Sequence, residues 1–192
     1  MDLTIESNYQ GVIAGVDEAG RGPLAGSVVA AAVIVDQTNL IDGIKDSKKL
    51  SKSKREELYT KITKHYLWAV GIVSPREIDE INILEATKKA CILAVEGLVT
   101  QSSVVIIDGN MKFQDERFVS YIKGDDKSIS IAAASIIAKV TRDRMMDVLH
   151  KDFPNYNWAK NSGYGTKEHI SAIKKHGNTI HHRLTFKVRT ID

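Results

Sequence analysis

The sequence predicts an α/β fold built as a single domain. Five short apolar runs of β-forming character are separated by turn signals and helical stretches along the chain. Hydrophobic residues make up 43% of the 192 residues, which is enough for a sizeable core at a length typical of one domain. We therefore expect residues 1–192 to form one domain, with a short helical C-terminal portion over about 155–192.

The five apolar runs predict the strands of one sheet. The second run is apolar without polar alternation, so we expect it to be covered on both faces. The fourth run consists of β-branched residues and stops at an acid and a turn. In chain order the predicted strands are Gly11–Val16, Val28–Val35, Trp68–Val73, Val104–Ile107 and Phe118–Ile122.

Four stretches show the apolar spacing of helices. Serine N-caps precede a helix that runs to about His65, and Thr166 caps a short helix at Lys167–Lys175. Between these two, the spacing predicts one long amphipathic helix from Glu77 to about Val99 and another from Ser128 to about His150.

The composition indicates a cytoplasmic protein. Cys91 is the only cysteine, so an internal disulfide is impossible, and we expect a buried, inert thiol. Asp2 and Glu6 stand where a signal peptide would carry basic and apolar residues, and no apolar run is long enough to span a membrane. We expect a protein that is neither exported nor inserted into a membrane.

Positive charge is concentrated in two segments although the net charge is only +3. Lys45–Lys64 holds eight basic residues against three acids, and Lys160–Asp192 holds seven against two. Such segments are typical of a surface that binds a polyanion. The alternative, that Lys45–Lys64 is simply a solvated helix face, remains open on charge alone.

Acidic residues stand where two apolar strands end. Asp17 and Asp108 each follow such a strand, so they converge at one end of the sheet if the strands are neighbours, with Glu18 and Asp125 close by. Four acids without an obvious basic partner repel, and a divalent cation relieves that repulsion. Oxygen-only ligands favour Mg²⁺ or Mn²⁺, and two such ions can drive phosphodiester hydrolysis. The alternative is that these acids are turn residues, with Asp125 or Asp126 as a helix N-cap.

The glycine-rich loop between the first two strands is a candidate binding element. Gly20, Gly22 and Gly26 roughly match a dinucleotide fingerprint, but the residues that follow are strand-like where that motif requires a helix. We expect instead that the glycines allow close approach of a sugar-phosphate chain, with Arg21 as a donor.

Two other polar clusters receive weaker functional interpretations. Four histidines, His169, His176, His181 and His182, match no zinc spacing, and we expect them on the surface or at phosphates. The run Arg142-Asp143-Arg144 indicates ion pairing on a helix surface.

Several motifs, in order along nearly the whole chain, resemble the ribonuclease HII family. The signature is Asp17-Glu18-Ala19-Gly20-Arg21-Gly22-Pro23-Leu24-Ala25-Gly26. It is followed by Asp46–Leu50, Ile107-Asp108-Gly109, Lys123-Gly124-Asp125, Ala132–Asp143 and Gly163–His169. The related type HIII enzymes carry an additional N-terminal domain, for which a first strand at residue 11 leaves no room, so we expect type HII.

The resemblance implies a ribonuclease H-like fold, with a mixed five-stranded sheet and helices on both sides. It implies that Asp17, Glu18, Asp108 and Asp125 are the metal-binding catalytic carboxylates. Only the Lys-Gly-Asp match selects Asp125 over Asp126. It also implies that the loop Gly20-Arg21-Gly22 reads the ribose 2′-hydroxyl, that Tyr164 packs on the neighbouring sugar, and that Lys48 and Lys49 contact phosphates.

The implied activity is metal-dependent hydrolysis of the RNA strand of RNA–DNA hybrids with Mn²⁺ or Mg²⁺. Such enzymes also cut duplex DNA on the 5′ side of an embedded ribonucleotide, leaving 5′-phosphate and 3′-hydroxyl ends. We expect a monomer that serves ribonucleotide removal and primer RNA removal. A resolvase or integrase of the same fold, and a non-catalytic nucleic-acid-binding protein, are the alternatives.

Overall fold

A mixed five-stranded sheet forms the centre of the computed structural model, which describes residues 3–187. The strands are β1 (Ile13–Ala19), β2 (Val28–Ile34), β3 (Leu67–Val73), β4 (Val104–Asp108) and β5 (Phe118–Tyr121). Their order across the sheet is β3-β2-β1-β4-β5, with β1 antiparallel to β2 and parallel to β4. The five predicted strands and the mixed sheet are confirmed.

Six α-helices accompany these strands in the described residues. They are α1 (Lys52–His65), α2 (Pro75–Ile81), α3 (Ile83–Glu96), α4 (Ile129–Asp152), α5 (Trp158–Asn161) and α6 (Lys167–His176). The last two belong to the C-terminal portion predicted over about 155–192, of which residues 188–192 lie outside the described part of the chain. Within residues 3–187, no helix combines the length and apolar character needed to cross a membrane.

The single long helix predicted from Glu77 to about Val99 is wrong. Asn82 has a positive φ of 68° with an extended ψ of 165°, and it separates α2 from α3. Its side-chain oxygen accepts hydrogen bonds from the backbone N–H groups of Leu84 at 2.9 Å and Glu85 at 3.2 Å. Asparagine is a good N-cap, so it starts a new helix without interrupting the apolar spacing.

Both faces of the sheet are covered, as predicted for the second strand. Ala31 and Val33 of β2 pack with α1 and α4 on one face, whereas Ala30 and Ala32 pack with α2 and α3 on the other. The buried thiol of Cys91 belongs to the second of these clusters. Alternation of side chains along an apolar strand therefore supplies two hydrophobic layers at once.

Helix α4 lies very close to the central strand. A Cβ atom at Gly15 of β1 would stand 2.2 Å from the carbonyl carbon of Ser130 and 2.4 Å from the nitrogen of Ile131. The alanines of α4 are fully buried in the same layer. This contact fixes the helix behind the end of β1, where the candidate site lies.

Candidate active site

The acidic ends of β1 and β4 meet at one edge of the sheet. The parallel register pairs Val16 with Ile107, so Asp17 and Asp108 are the next residues on adjacent strands. Both line one pocket of about 240 Å³. The predicted convergence of these two acids is confirmed.

This pocket also collects most of the other predicted site residues. Glu18, Gly20, Arg21, Gly22, Lys48 and Tyr164 line it together with the two aspartates. Ser47, Ser135, Lys139 and Arg142, for which no role in the site was predicted, complete its polar wall. Segments far apart in the sequence thus present carboxylates, a glycine loop and an aromatic ring to one cavity.

Asp17 is the most buried carboxylate of this group. Its Oδ1 accepts a hydrogen bond from the backbone N–H of Glu18 at 2.7 Å. Burial, together with the negative charges of Glu18 and Asp108, raises the pKa of Asp17 well above its ordinary value. Burial also raises the pKa of Glu18, against the opposing charge of Arg21. Negative charge at this edge is therefore held at an energetic cost.

Asp108 links the end of β4 to the turn that carries the fourth acid. Its Oδ1 accepts a hydrogen bond from the backbone N–H of Gly124 at 2.7 Å. Lys123, the residue before this glycine, is left-handed with φ of 56°. The turn places Asp125 in a buried position beside the pocket.

The structure separates Asp125 from Asp126, which periodicity could not do. Burial, then the charges of Asp108 and Asp46, raises the pKa of Asp125, and the Nζ of Lys48 lies 3.5 Å from its Oδ2. Asp126 instead forms an ion pair with Lys49, whose hydrogen bond lowers the pKa of that carboxyl. Asp125, and not Asp126, thus belongs to the cluster of carboxylates whose pKa values are raised.

The expectation that the four acids lack a basic partner is wrong. The Nη1 of Arg21 lies 3.3 Å from Oε1 of Glu18, and Lys48 contacts Asp125 as described. In the part of the chain that the structure describes, no three Asp, Glu, His or Cys side chains already form a metal cluster. Arg21 lies in a loop and Lys48 on a short helical turn, and strand patterns cannot place such side chains.

Lys48 and Lys49 point to different places. Lys48 lines the pocket. Burial lowers the pKa of Lys48, but the charges of Asp17, Asp46 and Asp125 outweigh burial, so the pKa is raised. Lys49 lines a neighbouring groove together with Lys45, Lys54 and Asp126. Two adjacent lysines therefore serve two separate surfaces.

The two glycines of the candidate reading loop have different surroundings. Gly20 has a positive φ of 98°, and a Cβ atom there would lie 2.1 Å from Nε of Arg142. Its close contact is therefore with the protein itself, which corrects the expectation that it leaves space for a sugar-phosphate chain. A Cβ at Gly22 would meet only Cε1 of Tyr164, at 3.6 Å. Gly22 is the glycine that leaves space for a ligand.

Two buried arginines donate hydrogen bonds to the backbone of the glycine-rich loop. Arg142 of α4 donates to the carbonyl oxygens of Ser27 and Ala25, both at 3.1 Å. Arg183 donates to the carbonyl oxygens of Gly20 at 2.6 Å and Gly26 at 2.7 Å. Burial, and next the charge of Arg142, lowers the pKa of Arg183 to about 9. The loop backbone is thereby fixed in shape.

Sequence reasoning missed both arginines. Arg142 was expected on a helix surface, but only its neighbours fit that expectation: Asp143 pairs with Lys139 at 2.7 Å, and Arg144 pairs with Glu56. The available signal was position, because Arg142 follows buried Ala138 by four residues and so lies on the buried helix face. Arg183 lies in a segment without regular structure and offered no such signal.

The histidines do not behave as a group. His176 is exposed, in agreement with the prediction, and His181 is half-buried. His169 and His182 are buried and contact each other through Nε2 atoms 3.2 Å apart, so their expected surface position is wrong. Burial lowers the pKa of both imidazoles.

Solved structures of type 2 ribonucleases H share this fold, and they give the class of protein. The crystal structure of the ribonuclease H2 from Pyrococcus horikoshii OT3 matches with a TM-score of 0.76 and 30% sequence identity, over 93% of this chain and 95% of that chain. Bst-RNase HIII in complex with Mn²⁺ matches with a TM-score of 0.69 and 20% identity, over 91% of this chain and 67% of that chain. At that identity the second likeness shows the fold alone.

The sequence comparisons give the particular family. The family model for ribonuclease HII matches residues 14–189. Ribonuclease HII of Rickettsia bellii (strain OSU 85-389) is 66% identical over 185 residues, which cover 96% of this chain and 94% of that protein. The chain belongs to the ribonuclease HII family, and it is a ribonuclease H that acts on RNA–DNA hybrids. The resemblance and the fold that it implied are confirmed.

Proposed function

We propose that this enzyme hydrolyses the RNA strand of hybrids and also cuts duplex DNA on the 5′ side of an embedded ribonucleotide. The products carry a 5′-phosphate and a 3′-hydroxyl. The observation that supports this proposal is the single pocket that joins Asp17, Glu18 and Asp108 to Gly22 and Tyr164. The acids supply the means of hydrolysis, and the other two residues supply a surface for a sugar.

The carboxylates fit a site for divalent cations. Asp17, Glu18, Asp108 and Asp125 offer only oxygen atoms, which Mg²⁺ and Mn²⁺ prefer. Burial, and to a smaller extent the charges of neighbouring carboxylates, raises the pKa of Asp17, Glu18 and Asp125. Bst-RNase HIII, which shares the fold, was solved with Mn²⁺. Two ions held by these four residues would activate a water molecule and neutralise the leaving oxygen.

The protein holds the first and third of these acids in fixed orientations. Asp17 is fixed by the N–H of Glu18, and Asp108 by the N–H of Gly124. Arg21 and Lys48, which now contact Glu18 and Asp125, are exposed and can turn toward the phosphates of a bound strand. The phosphates of a bound strand would thus replace Glu18 and Asp125 as the partners of Arg21 and Lys48.

Recognition of ribose is assigned to the loop and the aromatic ring. The backbone at Gly22 is open, so a sugar can approach it closely, and Arg21 beside it is exposed. Tyr164, which is 47% exposed, lies next to Gly22 and can pack on the next sugar. The 2′-hydroxyl is the atom that separates ribose from deoxyribose, so donors and acceptors close to it decide selectivity.

In its cellular role, the enzyme serves ribonucleotide removal and primer RNA removal, acting as a monomer in the cytoplasm. Light scattering of the purified enzyme tests the oligomeric part of this proposal. A molecular mass near 21.2 kDa is expected, and twice that mass would contradict it.

A comparison of substrates tests the proposed activity. With Mg²⁺ or Mn²⁺, we expect cleavage of an RNA–DNA hybrid and of a DNA duplex containing one ribonucleotide, but none of an all-DNA duplex or four-way junction. Cutting of the all-DNA junction would favour a resolvase instead. Duplex binding without metal-dependent turnover would favour a non-catalytic nucleic-acid-binding protein.

Substitution of Tyr164 tests how the junction is read. Tyr164→Ala should lose about 100-fold in the rate of cleaving a single embedded ribonucleotide, because a displacement of the phosphate by about 1 Å can cost that much, while duplex binding changes little. Tyr164→Phe is the matched control and separates ring packing from the hydroxyl group. Cleavage by Tyr164→Ala at the parent rate and parent selectivity would return the residue to a packing role.

A further inference from the structure

A chain of hydrogen bonds runs through two buried histidines to the residue proposed to pack on the sugar. His169 lies on α6, and His182 lies in the segment that follows it. Their Nε2 atoms are 3.2 Å apart, and the indole Nε1 of buried Trp158 is 2.9 Å from the Nε2 of His169. Neither imidazole lines the pocket, so the hydrolysis described above uses neither of them.

The partners at the far end fix the proton on His182. The backbone N–H of Thr179 points to Nδ1 of His182 at 2.9 Å. A backbone N–H can only donate, so this Nδ1 carries no proton and the neutral ring is protonated on Nε2. That N–H is directed at His169.

The same reasoning fixes the proton on His169. The indole N–H of Trp158 can only donate, so the Nε2 of His169 accepts it and carries no proton, and the more distant N–H of His182 shares the same lone pair. The proton of His169 is therefore on Nδ1, which lies 2.9 Å from the carbonyl oxygen of Tyr164. The series of hydrogen bonds therefore ends at the carbonyl oxygen of Tyr164, whose ring lines the pocket.

Both imidazoles are neutral in this arrangement. A second proton on either ring would place one N–H against another. Burial lowers the pKa of His169, and burial together with the nearby His169 lowers the pKa of His182 to about 4. The direction of the hydrogen bonds is therefore constant at neutral pH.

Tyr164 follows two left-handed residues and needs external support. Ser162 has φ of 48° and Gly163 has φ of 81°, and the side chain of Tyr164 is half exposed. The carbonyl oxygen of Tyr164 also accepts the N–H of Thr166 at 2.8 Å, within the same loop. His169 supplies a bond to this carbonyl from a helix, and Trp158 and His182 hold the imidazole in turn.

We propose that His169 is a positioning residue for Tyr164, and that Trp158 and His182 impose the tautomer that this task requires. The inference rests on the proposed function of Tyr164 at the RNA–DNA junction. A small change in the Tyr164 backbone moves the ring across the pocket, so the imidazole acts on the rate of cleavage through Tyr164 alone.

Two amide substitutions separate the contact that Nδ1 of His169 makes from the contacts that its Nε2 makes. In His169→Asn the side-chain amide nitrogen reaches the position of Nδ1 and can still donate to Tyr164. In His169→Gln the amide reaches the position of Nε2, so contact with Trp158 and His182 is kept and the bond to Tyr164 is lost. Both variants lose part of the network, which makes them matched controls for stability.

Kinetics on a duplex with one ribonucleotide should separate the two variants. We expect His169→Gln to lose about 10- to 100-fold in kcat with little change in KM, and His169→Asn to retain most of the parent kcat. In a Tyr164→Ala background, His169→Gln should cause no further loss. Equal losses in the two variants, or a full further loss in the double variant, would overturn the proposal.

The tautomers can be read in the parent enzyme without any substitution. Nitrogen-15 NMR of the imidazoles should show His169 protonated on Nδ1 and His182 on Nε2 at pH 7. A proton on Nε2 of His169 would contradict the proposal. Parent-rate cleavage by Tyr164→Ala would remove the proposed function of Tyr164 and this inference with it, whereas loss in Tyr164→Ala but not in His169→Gln would overturn this inference alone.

Discussion

Asp17 is an ordinary residue type in an unusual position. It is buried at the end of the central strand, next to Glu18 and Asp108, and its pKa is raised well above the ordinary value. A raised pKa means that the charged carboxylate is less favourable in the folded protein than in the unfolded chain. The difference is about 1.4 kcal/mol for each unit by which the pKa rises. The function proposed for this residue therefore opposes stability.

Asp17→Asn tests this opposition. The substitution should abolish hydrolysis, because a ligand oxygen and a charge are lost, and raise the free energy of unfolding of the metal-free protein at pH 7 by about 1 kcal/mol or more. Cleavage assays and urea titrations measure the two effects. Asp126→Asn is the control, because that exposed carboxyl pairs with Lys49 and should retain activity. An active Asp17→Asn, or an inactive Asp126→Asn with active Asp125→Asn, would contradict the assignment.

Residue positions could be predicted where a strand pattern places the side chain. Asp17 and Asp108 end apolar strands, and neighbouring strands must bring such residues together. The arginine and histidine partners could not be placed by counting residue types. His169 nevertheless precedes Ala172 and Ile173 by three and four residues, the spacing of a buried helix face, and this signal was available.

At the scale of elements, small residues decide how closely layers approach. Gly15 lets the backbone of α4 lie against β1, and Gly71 does the same for α3, because a Cβ there would stand 2.0 Å from the carbonyl oxygen of Ala90. The alanines of α4 are visible in the sequence and allow close packing against the sheet. The glycines on the opposite side were not identified from the sequence, because hydrophobic periodicity does not register a missing side chain.

Gly15→Ala should therefore destabilise the fold. The added methyl group has no space against Ser130 and Ile131, so we expect a loss of about 1–3 kcal/mol in the free energy of unfolding, measured by urea titration. The control is Gly22→Ala, whose new methyl group would meet only Tyr164. That variant should keep the parent stability and lose cleavage of embedded ribonucleotides. Equal stability losses in the two variants would contradict the packing described for α4.

The short segment before α1 distributes its lysines between two surfaces. Asp46 caps a single helical turn at Ser47–Lys49, and this turn directs Lys48 to the pocket and Lys49 to the adjacent groove. The sequence left open whether the basic segment is a solvated face or a binding surface. Lys49 lines a groove together with Lys45 and Lys54, and a path for phosphates along this groove stays a prediction.

Salt dependence of duplex binding tests this path. Lys49→Ala should flatten the slope of log K against log salt by about 0.9 on duplex DNA if one phosphate contact is lost. Arg76→Ala is the control, because Arg76 is exposed on α2, pairs with Glu80 and lines neither surface. An unchanged slope for Lys49→Ala would make the segment a solvated helix face.

At the scale of the whole molecule, the site depends on contacts between distant parts of the chain. The backbone N–H of Leu24 donates to the carbonyl oxygen of Gly163, and Ala25 forms an isolated antiparallel β-bridge with His182. The C-terminal segment therefore holds the glycine-rich loop in place. Apolar runs and caps were sufficient to predict the sheet and most helices. The docking of an irregular segment on a loop has no periodicity and could not be predicted in this way.

The central claim is that carboxylates in this pocket direct water to the phosphodiester on the 5′ side of a ribonucleotide. In a duplex with a single ribonucleotide, the upstream nucleotide is a deoxynucleotide, so no 2′-hydroxyl is available to attack that phosphate.

Mass spectrometry of the cleavage products tests the claim most directly. We predict an upstream fragment ending in a deoxynucleotide 3′-hydroxyl and a downstream fragment beginning with a 5′-phosphorylated ribonucleotide. Products with a 2′,3′-cyclic phosphate and a 5′-hydroxyl would show attack by the ribose itself and contradict the account.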